Sequence, residues 1–546
     1  MIYHIGLTNG PILEVLQEAG SPAALWFASA FFSDFTARLC HSFKEKYGTG
    51  VDILSPYYEE TGEDYISDGV GKYHDRVIMT LQSDKTKDEL SAEIKELIRA
   101  VKRETIENFP KEEHGNEGAA HFLEKYIQSH FVLIPEDVWE NIKKENVLLT
   151  LSPYLDKLEL MRTMPDDDSG NLFNHFLPGQ GSKQNPRLKN SGLFKRVSSA
   201  NNQLYIKSAA EPEEENENET KPDSESAEVK SIRSIEDIAG SKRNDNGLKK
   251  YHYYAVVQAD GDRVGKLLEK INENKDVKDF SHKCIDHAAA AAKMVGGFGG
   301  MTIYAGGEDL LFLAPVENAE GKTVFELCEE LDEMFKEAMN KESTTPDNEK
   351  TSLSFGIAIQ HKKFPLYEAL QKAAYLLFCE AKQGPKNYMA VELQKHSGQT
   401  LGLRIPVPAH KVLREKYSEA KKKLEECKSG KNIETVGNSV IQTLSLNSRI
   451  LAALDKAVKE RISRNEDARQ QLLDGWHNFQ DNAGQAQLAS YYEAVGNLYY
   501  DCFLEHGNQI NVLDDMAAAG EDNDLIALLA YLKLNKFLIE QAGEEA

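Results

Sequence analysis

Residues 253–268, YYAVVQADGDRVGKLL, and residues 301–316, MTIYAGGEDLLFLAPV, decide the fold. The first is an apolar, strand-like run that ends in Asp260-Gly261-Asp262 and passes into a helical stretch. The second reads as two strands joined by a tight Gly306-Gly307 turn that delivers Glu308 and Asp309. Farther along come the helix Lys322 to Asn340, the strand TSLSFGIAIQH, the helix LYEALQKAAYLLFCEAKQ and the strand NYMAVEL. With a second helix at HKCIDHAAAAAKMV, the order over 250–395 is β-α-α-β-β-α-β-α-β. That order fits a ferredoxin-like β-α-β-β-α-β core with additions.

In such a sheet the first strand lies beside the hairpin, so the acids at their ends converge. Asp260, Glu308 and Asp309 are therefore the candidate metal-binding and catalytic residues. Hard oxygen ligands suit Mg²⁺ or Mn²⁺, ions that also hold substrate phosphates. Two such ions lower the barrier to in-line attack of a ribose hydroxyl on an α-phosphate. Gly306 and Gly307 lack Cβ, so they tolerate positive φ and let a nucleotide approach the backbone. Gly and Asp also dominate ordinary turns, so GGED alone would describe only a turn. The two acidic motifs together, in order and on the expected strands, carry the chemical reading.

Outward from this zone, residues 1–135 mix strands (YHIGLT, VDILSP, RVIMTL) with helices at Pro22 to Lys46 and Thr86 to Glu107. Residues 136–249 form a connecting region. Within it, 211–229 holds nine acids, one lysine and no aromatic residue, a composition expected of a disordered linker. Residues 405–546 repeat apolar positions at helical spacing and read as a helical bundle for partner contact.

With 64 Lys and Arg against 88 Asp and Glu, the net charge of −24 argues against non-specific nucleic-acid binding by the chain as a whole. A local basic groove is compatible with it. The six cysteines are scattered, with no C-x-x-C pair, as expected of a reduced cytoplasmic protein. No apolar run is long enough to span a membrane.

The segments YYAVVQADGDRVGKLL, AGGEDLLFLAP and SFGIAIQHKKFPLYEALQKAAYLLFCEAK resemble the palm shared by GGDEF-type nucleotide cyclases. They look closer still to the large polymerase/cyclase subunit of type III CRISPR effector complexes. IGLTNGPILEVLQEAGSPAALWFASAFFSDFT is similar to the opening of the Cmr (type III-B) branch, where a first, catalytically silent palm begins. The resemblance implies an α+β chain with two ferredoxin-like palms and a C-terminal helical bundle. It implies that Asp260, the Gly261 carbonyl and Glu308 ligate metal, with Asp309 assisting and Asp262 as a further contact. Lys382 would neutralise triphosphate, and Ser354 would contact nucleotide. ATP would be the substrate, and S-adenosylmethionine is a candidate co-substrate. The implied partners are other Cmr subunits, guide CRISPR RNA and target RNA.

Three departures from the family pattern stand out. The first palm starts at residue 1, so an HD nuclease domain is not expected, and His74-Asp75 reads as ordinary surface chemistry. The cysteine cluster usual between the palms is missing near SGNLFNHFLPGQGSKQNP. The motif is GGED in place of GGDD. Two other functions compete with an RNA-activated synthase of cyclic oligoadenylate, or of AMP joined to S-adenosylmethionine. They are a stand-alone diguanylate cyclase and an inactive scaffold subunit.

Overall fold

A computed structural model describes the chain except residues 13–20, 60–69, 108–123, 145, 163–205, 208–230, 233, 245–246, 341–349, 428–432, 465–466, 483, 505–508, 514–522 and 542–546. The acidic stretch 211–229 and the segment SGNLFNHFLPGQGSKQNP lie outside the described residues.

The first sheet is built from β1 (Ile2–Gly10), β2 (Val51–Ser55), β3 (Arg76–Gln82) and β4 (Gln128–Pro135), with α1 (Pro22–Tyr47) and α2 (Lys87–Glu107) between them. Its strand order is β2-β3-β1-β4, and β1 is antiparallel to both neighbours. Next come α3 (Glu136–Ile142) and α4 (Val147–Glu159). Asn146 caps α4 by accepting from the Leu149 N–H.

The second sheet comprises β5 (Tyr253–Asp262), β6 (Met301–Gly306), β7 (Asp309–Pro315), β8 (Ser352–His361), β9 (Tyr388–Gln394) and β10 (Thr400–Pro406). Its order is β6-β7-β5-β8-β9-β10. The first four strands repeat the arrangement of the first sheet: hairpin, opening strand, closing strand. The protein is thus α+β, with two ferredoxin-like sheets. Crossing helices are α5 (Val264–Leu268), α6 (Asn274–Phe298), α7 (Val324–Asn340) and α8 (Leu366–Tyr375).

β8 is buried over nine of its ten residues, which explains why SLSFGIAIQ is nearly continuous in apolar and small residues. Gly356 lies where a Cβ would collide with the backbone of Ala373 and Leu377. Its absence lets the helix behind β8 close onto the strand. That helix ends in a π-helical turn, Leu376–Ala381, which hands over to Lys382.

β10 leads directly into α9 (Val407–Glu426), then α10 (Ile433–Leu446), α11 (Ser448–Ile462), α12 (Arg469–Asn482), α13 (Ala489–Tyr499) and α14 (Asn523–Gln541). One continuous core runs from Val391 and Leu403 in the sheet to Leu413, Tyr492 and Tyr531 in these helices. A second core joins the two sheets through α1, whose Trp26, Phe27 and Phe31 are buried with Val256, Ile303 and Leu313. Tyr57 stacks on His282 with ring centroids 4.1 Å apart, and its N–H donates to Ser281 Oγ at 2.7 Å.

Each outer strand of the second sheet carries one bridge from elsewhere. On β6, Tyr304 bridges to Gly71, and the Ala305 N–H donates to the Gly71 carbonyl at 3.2 Å. On β10, Arg404 and Asn511 exchange two backbone hydrogen bonds, at 2.7 and 3.0 Å. No helix of the described residues is long and apolar enough to cross a membrane.

Candidate active site

β5 and β7 are antiparallel neighbours, with Ala259 opposite Leu310, so the residues just beyond meet at one end of the sheet. Gly306 pairs with Asp309, leaving Gly307 and Glu308 as the two turn residues. The turn is therefore Gly-Glu rather than the Gly-Gly expected from the sequence. Gly307 takes φ of +65°, a conformation that Gly adopts without steric cost. Gly306 has a different reason: a Cβ there would lie 2.5 Å from the Tyr304 hydroxyl. A Cβ on Gly261 would lie 2.7 Å from both Glu308 Cβ and Val264 Cγ2. The bare Cα of Gly261 is what brings the hairpin acid against the end of β5.

Lys382 reaches into this corner from the π-helical turn. Its Nζ lies 2.6 Å from Asp260 Oδ2 and donates to the Gly261 carbonyl at 3.0 Å. Asp262 Oδ1 is 4.0 Å away. Burial pushes the Asp260 carboxyl up from its ordinary value, and the Lys382 contact pulls against that shift. Burial and the Asp260 charge raise Glu308. Asp309 is raised well above the usual carboxylate range by desolvation at the end of the sheet and by the Glu308 and Asp260 charges, although its side chain is exposed. Three acids and one lysine leave an excess of negative charge that a bound cation would relieve.

Among the described residues no three His, Cys, Asp or Glu side chains form a ready-made metal cage. The donor atoms still fit a hard divalent ion. Asp260 Oδ2 and the Gly261 carbonyl already converge on a cation, the Lys382 ammonium. Glu308 lies against Gly261 with no Cβ between them. Asp260, the Gly261 carbonyl and Glu308 are the groups that would hold Mg²⁺ or Mn²⁺, with Lys382 moving aside.

Two residues stand elsewhere than the sequence suggested. Ser354 is fully buried, and its Oγ donates to Asp262 Oδ2 at 2.7 Å and accepts from the Asn387 N–H at 3.0 Å. It is enclosed in the core beneath the site, so the expected nucleotide contact is corrected to a supporting role. Asp262 is buried too. Its Oδ2 accepts from Ser352, Ser354 and the Asn387 N–H, at 3.2, 2.7 and 2.8 Å. Asp262 thus pins β5 to β8 and to the start of β9, and only Oδ1 turns towards Lys382.

The His74-Asp75 pair is no loose surface dipeptide. His74 Nε2 lies 3.1 Å from Ser55 Oγ, and burial lowers the imidazole to about 4. The Asp75 carbonyl accepts from the Asn9 N–H at 2.9 Å, and its carboxylate lies 3.7 Å from Arg162. From the first sheet, the Asp75 charge acts on both Tyr304 and Asp309. The sequence held one signal for this proximity. Asp75 precedes β3 much as Glu308 precedes β7, so two sheets of like topology present like corners.

A ferredoxin-like sheet with acids at the end of its opening strand and in its hairpin turn defines a palm domain. Residues 253–390 match the model of the second palm domain of Cas10/Cmr2. The chain is also 33% identical over 205 residues to the CRISPR system Cmr subunit Cmr2 of Pyrococcus furiosus. That match covers 33% of this chain and 22% of the relative. Among solved structures, a chain of the type III-B Cmr-beta complex bound to cognate target RNA superposes with a TM-score of 0.55 at 13% identity. It covers 98% of this chain and 83% of that one. A chain of a Csm1–Csm4 cassette in complex with cA4 gives a TM-score of 0.48 at 12% identity, covering 91% and 69%. The stretch 253–390 is thus similar to the second palm domain of the Cas10/Cmr2 family, large subunits of type III CRISPR complexes.

Proposed function

We propose that this subunit is a metal-dependent nucleotidyltransferase that makes a second messenger from ATP when its complex binds target RNA. The observation that carries the reading is the corner formed by Asp260, the Gly261 carbonyl, Glu308 and Lys382. Oxygen donors and a lysine ammonium meet there, at one end of a palm sheet. A bound divalent ion would supply charge neutralisation at the phosphates and a more acidic attacking hydroxyl.

The chain's own groups do the rest. Lys382 releases Asp260 and turns to the triphosphate as a point charge. Gly307 exposes backbone to the nucleotide. Asp262, held by two serines and the Asn387 N–H, fixes the position of Asp260 on the strand above it. The first palm is silent in this reading and serves as a wall of the cleft. Similarity to the Cas10/Cmr2 palm and to a chain of a Cmr-beta complex bound to target RNA supports assembly with other Cmr subunits, guide RNA and target RNA. The product is cyclic oligoadenylate or AMP joined to S-adenosylmethionine.

The test uses the assembled complex with target RNA, labelled ATP and S-adenosylmethionine. Radioactivity should enter a new product only with target RNA and a divalent ion. Glu308→Ala with Asp309→Ala should abolish that product and leave assembly intact. Product at the wild-type rate from the double variant would overturn the site. Equal turnover by the isolated chain and by the complex with and without target RNA would favour a stand-alone cyclase.

A further inference from the structure

The end of the second sheet farthest from the acids carries the opposite charge. β8 begins at Ser352, beside Asp262, and runs ten residues to His361. At roughly 3.3 Å per residue the two ends lie about 30 Å apart. Lys362 and Lys363 follow β8, and Lys395 opens the turn into β10. α14 contributes Lys533 and Lys536. Lys395, Lys533 and Lys536 line a hollow of about 230 Å³ together with Gln399, Leu401 and Gln442. No acid lines it.

Rings stand beside these lysines. Lys395 Nζ lies 5.9 Å above the Phe537 ring. His361 and His396 lie 4.6 Å apart between centroids, and His396 is exposed. The neighbouring charges that act on His361 and on Lys533 are all positive. Lys362, Lys363, Lys395 and Lys533 make no ion pair with any described residue. Like charges gathered on one face raise the free energy of the folded chain, and an arriving polyanion lowers it. In a chain of net charge −24, such a concentration on one face is a local exception.

We propose that this face binds the phosphate backbone of single-stranded RNA. The hollow is concave, and its lysines converge from a turn and a helix, a geometry that suits a phosphodiester. The exposed His396 ring at the rim offers stacking for a base. A flat acidic protein surface would leave the hollow unfilled. The inference deepens the RNA-guided reading. Its test measures binding and not turnover, so each can fail without the other.

The experiment titrates the purified full chain with a fluorescent, uridine-rich single-stranded RNA at several salt concentrations. The variant Lys395→Ala/Lys533→Ala/Lys536→Ala should weaken binding at least tenfold at low salt. Its slope of log Kd against log salt should fall by about 2, since each single-strand phosphate contact contributes ~0.7. The triple Lys→Arg variant should bind like the wild type, which separates charge from folding. Glu308→Ala/Asp309→Ala should also bind normally. A 4-thiouridine probe should cross-link to peptides holding residues 395–399 and 533–537. Unchanged affinity and slope in the alanine variant would overturn the proposal. So would a wild-type chain that fails to bind, or an alanine variant that binds RNA normally and sheds a protein subunit.

Discussion

Lys382 shows how much one side chain can occupy two roles. It fills the place of a cation against Asp260 and the Gly261 carbonyl, and it is the group expected to meet triphosphate. Lys382→Met should therefore tighten Mn²⁺ binding to the nucleotide-free chain, read by electron paramagnetic resonance, while synthesis drops roughly a hundredfold, as when a charge-stabilising group is removed. Unchanged Mn²⁺ affinity would show that the lysine does not compete with the metal. Gly261→Ala places a methyl against Glu308 and Val264. A shift of about 1 Å at reacting groups can cost about a hundredfold, so the same order of loss is expected, with the fold retained.

A buried imidazole gives a test of stability. His287 has neither ring nitrogen hydrogen-bonded, and burial lowers it from 6.5 to about 4. The unfolded chain takes up this proton below pH 6.5 and the folded chain does not, so stability is full above that value and falls as pH drops towards 4. At pH 5 the loss from this group is about 2 kcal/mol relative to pH 7. His287→Leu should remove that increment from the difference between urea unfolding curves at the two pH values.

The acids were legible in the sequence because their flanking strands were apolar and their order fixed. The roles of Ser354 and Asp262 were not. Nothing in the S-x-G spacing says that the serine hydroxyl is consumed by a buried carboxylate.

At the scale of elements, most strands and helices were legible by period. The ends of α1 and β8 fall within a residue or so of the pattern read from the chain. Two strands of the two large sheets were missed. β4 carries a Ser, a His and a Gln among its apolar residues, and β10 holds Gly402 and Arg404. Both lie at sheet edges, where one side meets less of the core and the apolar signal thins. The segment RVGKLLEKIN after Asp262 was read as a helix, yet α5 is a single short turn, Val264–Leu268, entered through Arg263 at φ of +60°.

The π-helical turn could not be read from periodicity, since an extra residue in one turn leaves the average spacing almost unchanged. It matters because it sets where Lys382 emerges. Gly356→Ala would push that helix off β8 through backbone contacts that cannot yield. The expected cost exceeds about 3 kcal/mol, in the range of severe core defects, and synthesis should fall with it. A melting temperature within a degree or two of the wild type would contradict this packing.

For the molecule as a whole, the expected behaviour is low turnover by the isolated chain and activation by target RNA in the complex. RNA can raise the rate only if it favours the competent arrangement over the resting one. A hundredfold rise needs about 2.7 kcal/mol of differential binding, at ~1.4 kcal/mol per tenfold. Comparing initial rates of the chain alone, the complex, and the complex with target RNA tests this. The helices from α9 onward were read as a separate partner-binding unit, yet they share one core with β9 and β10. Removing them would strip apolar cover from the sheet as well as any docking surface.

The single bridges at Gly71 and Asn511 bear on the same question of truncation. An uncovered outer strand is a template for pairing with another chain. Here the N-terminal part of the chain guards one border and the C-terminal part guards the other. A fragment cut to residues 250–406 would lose both guards at once. It should oligomerise through strand swapping or precipitate at concentrations where the full chain stays monodisperse, as light scattering would reveal. Protection from self-aggregation is thus expected to be distributed along the polypeptide, and the second sheet is not a module that can be lifted out.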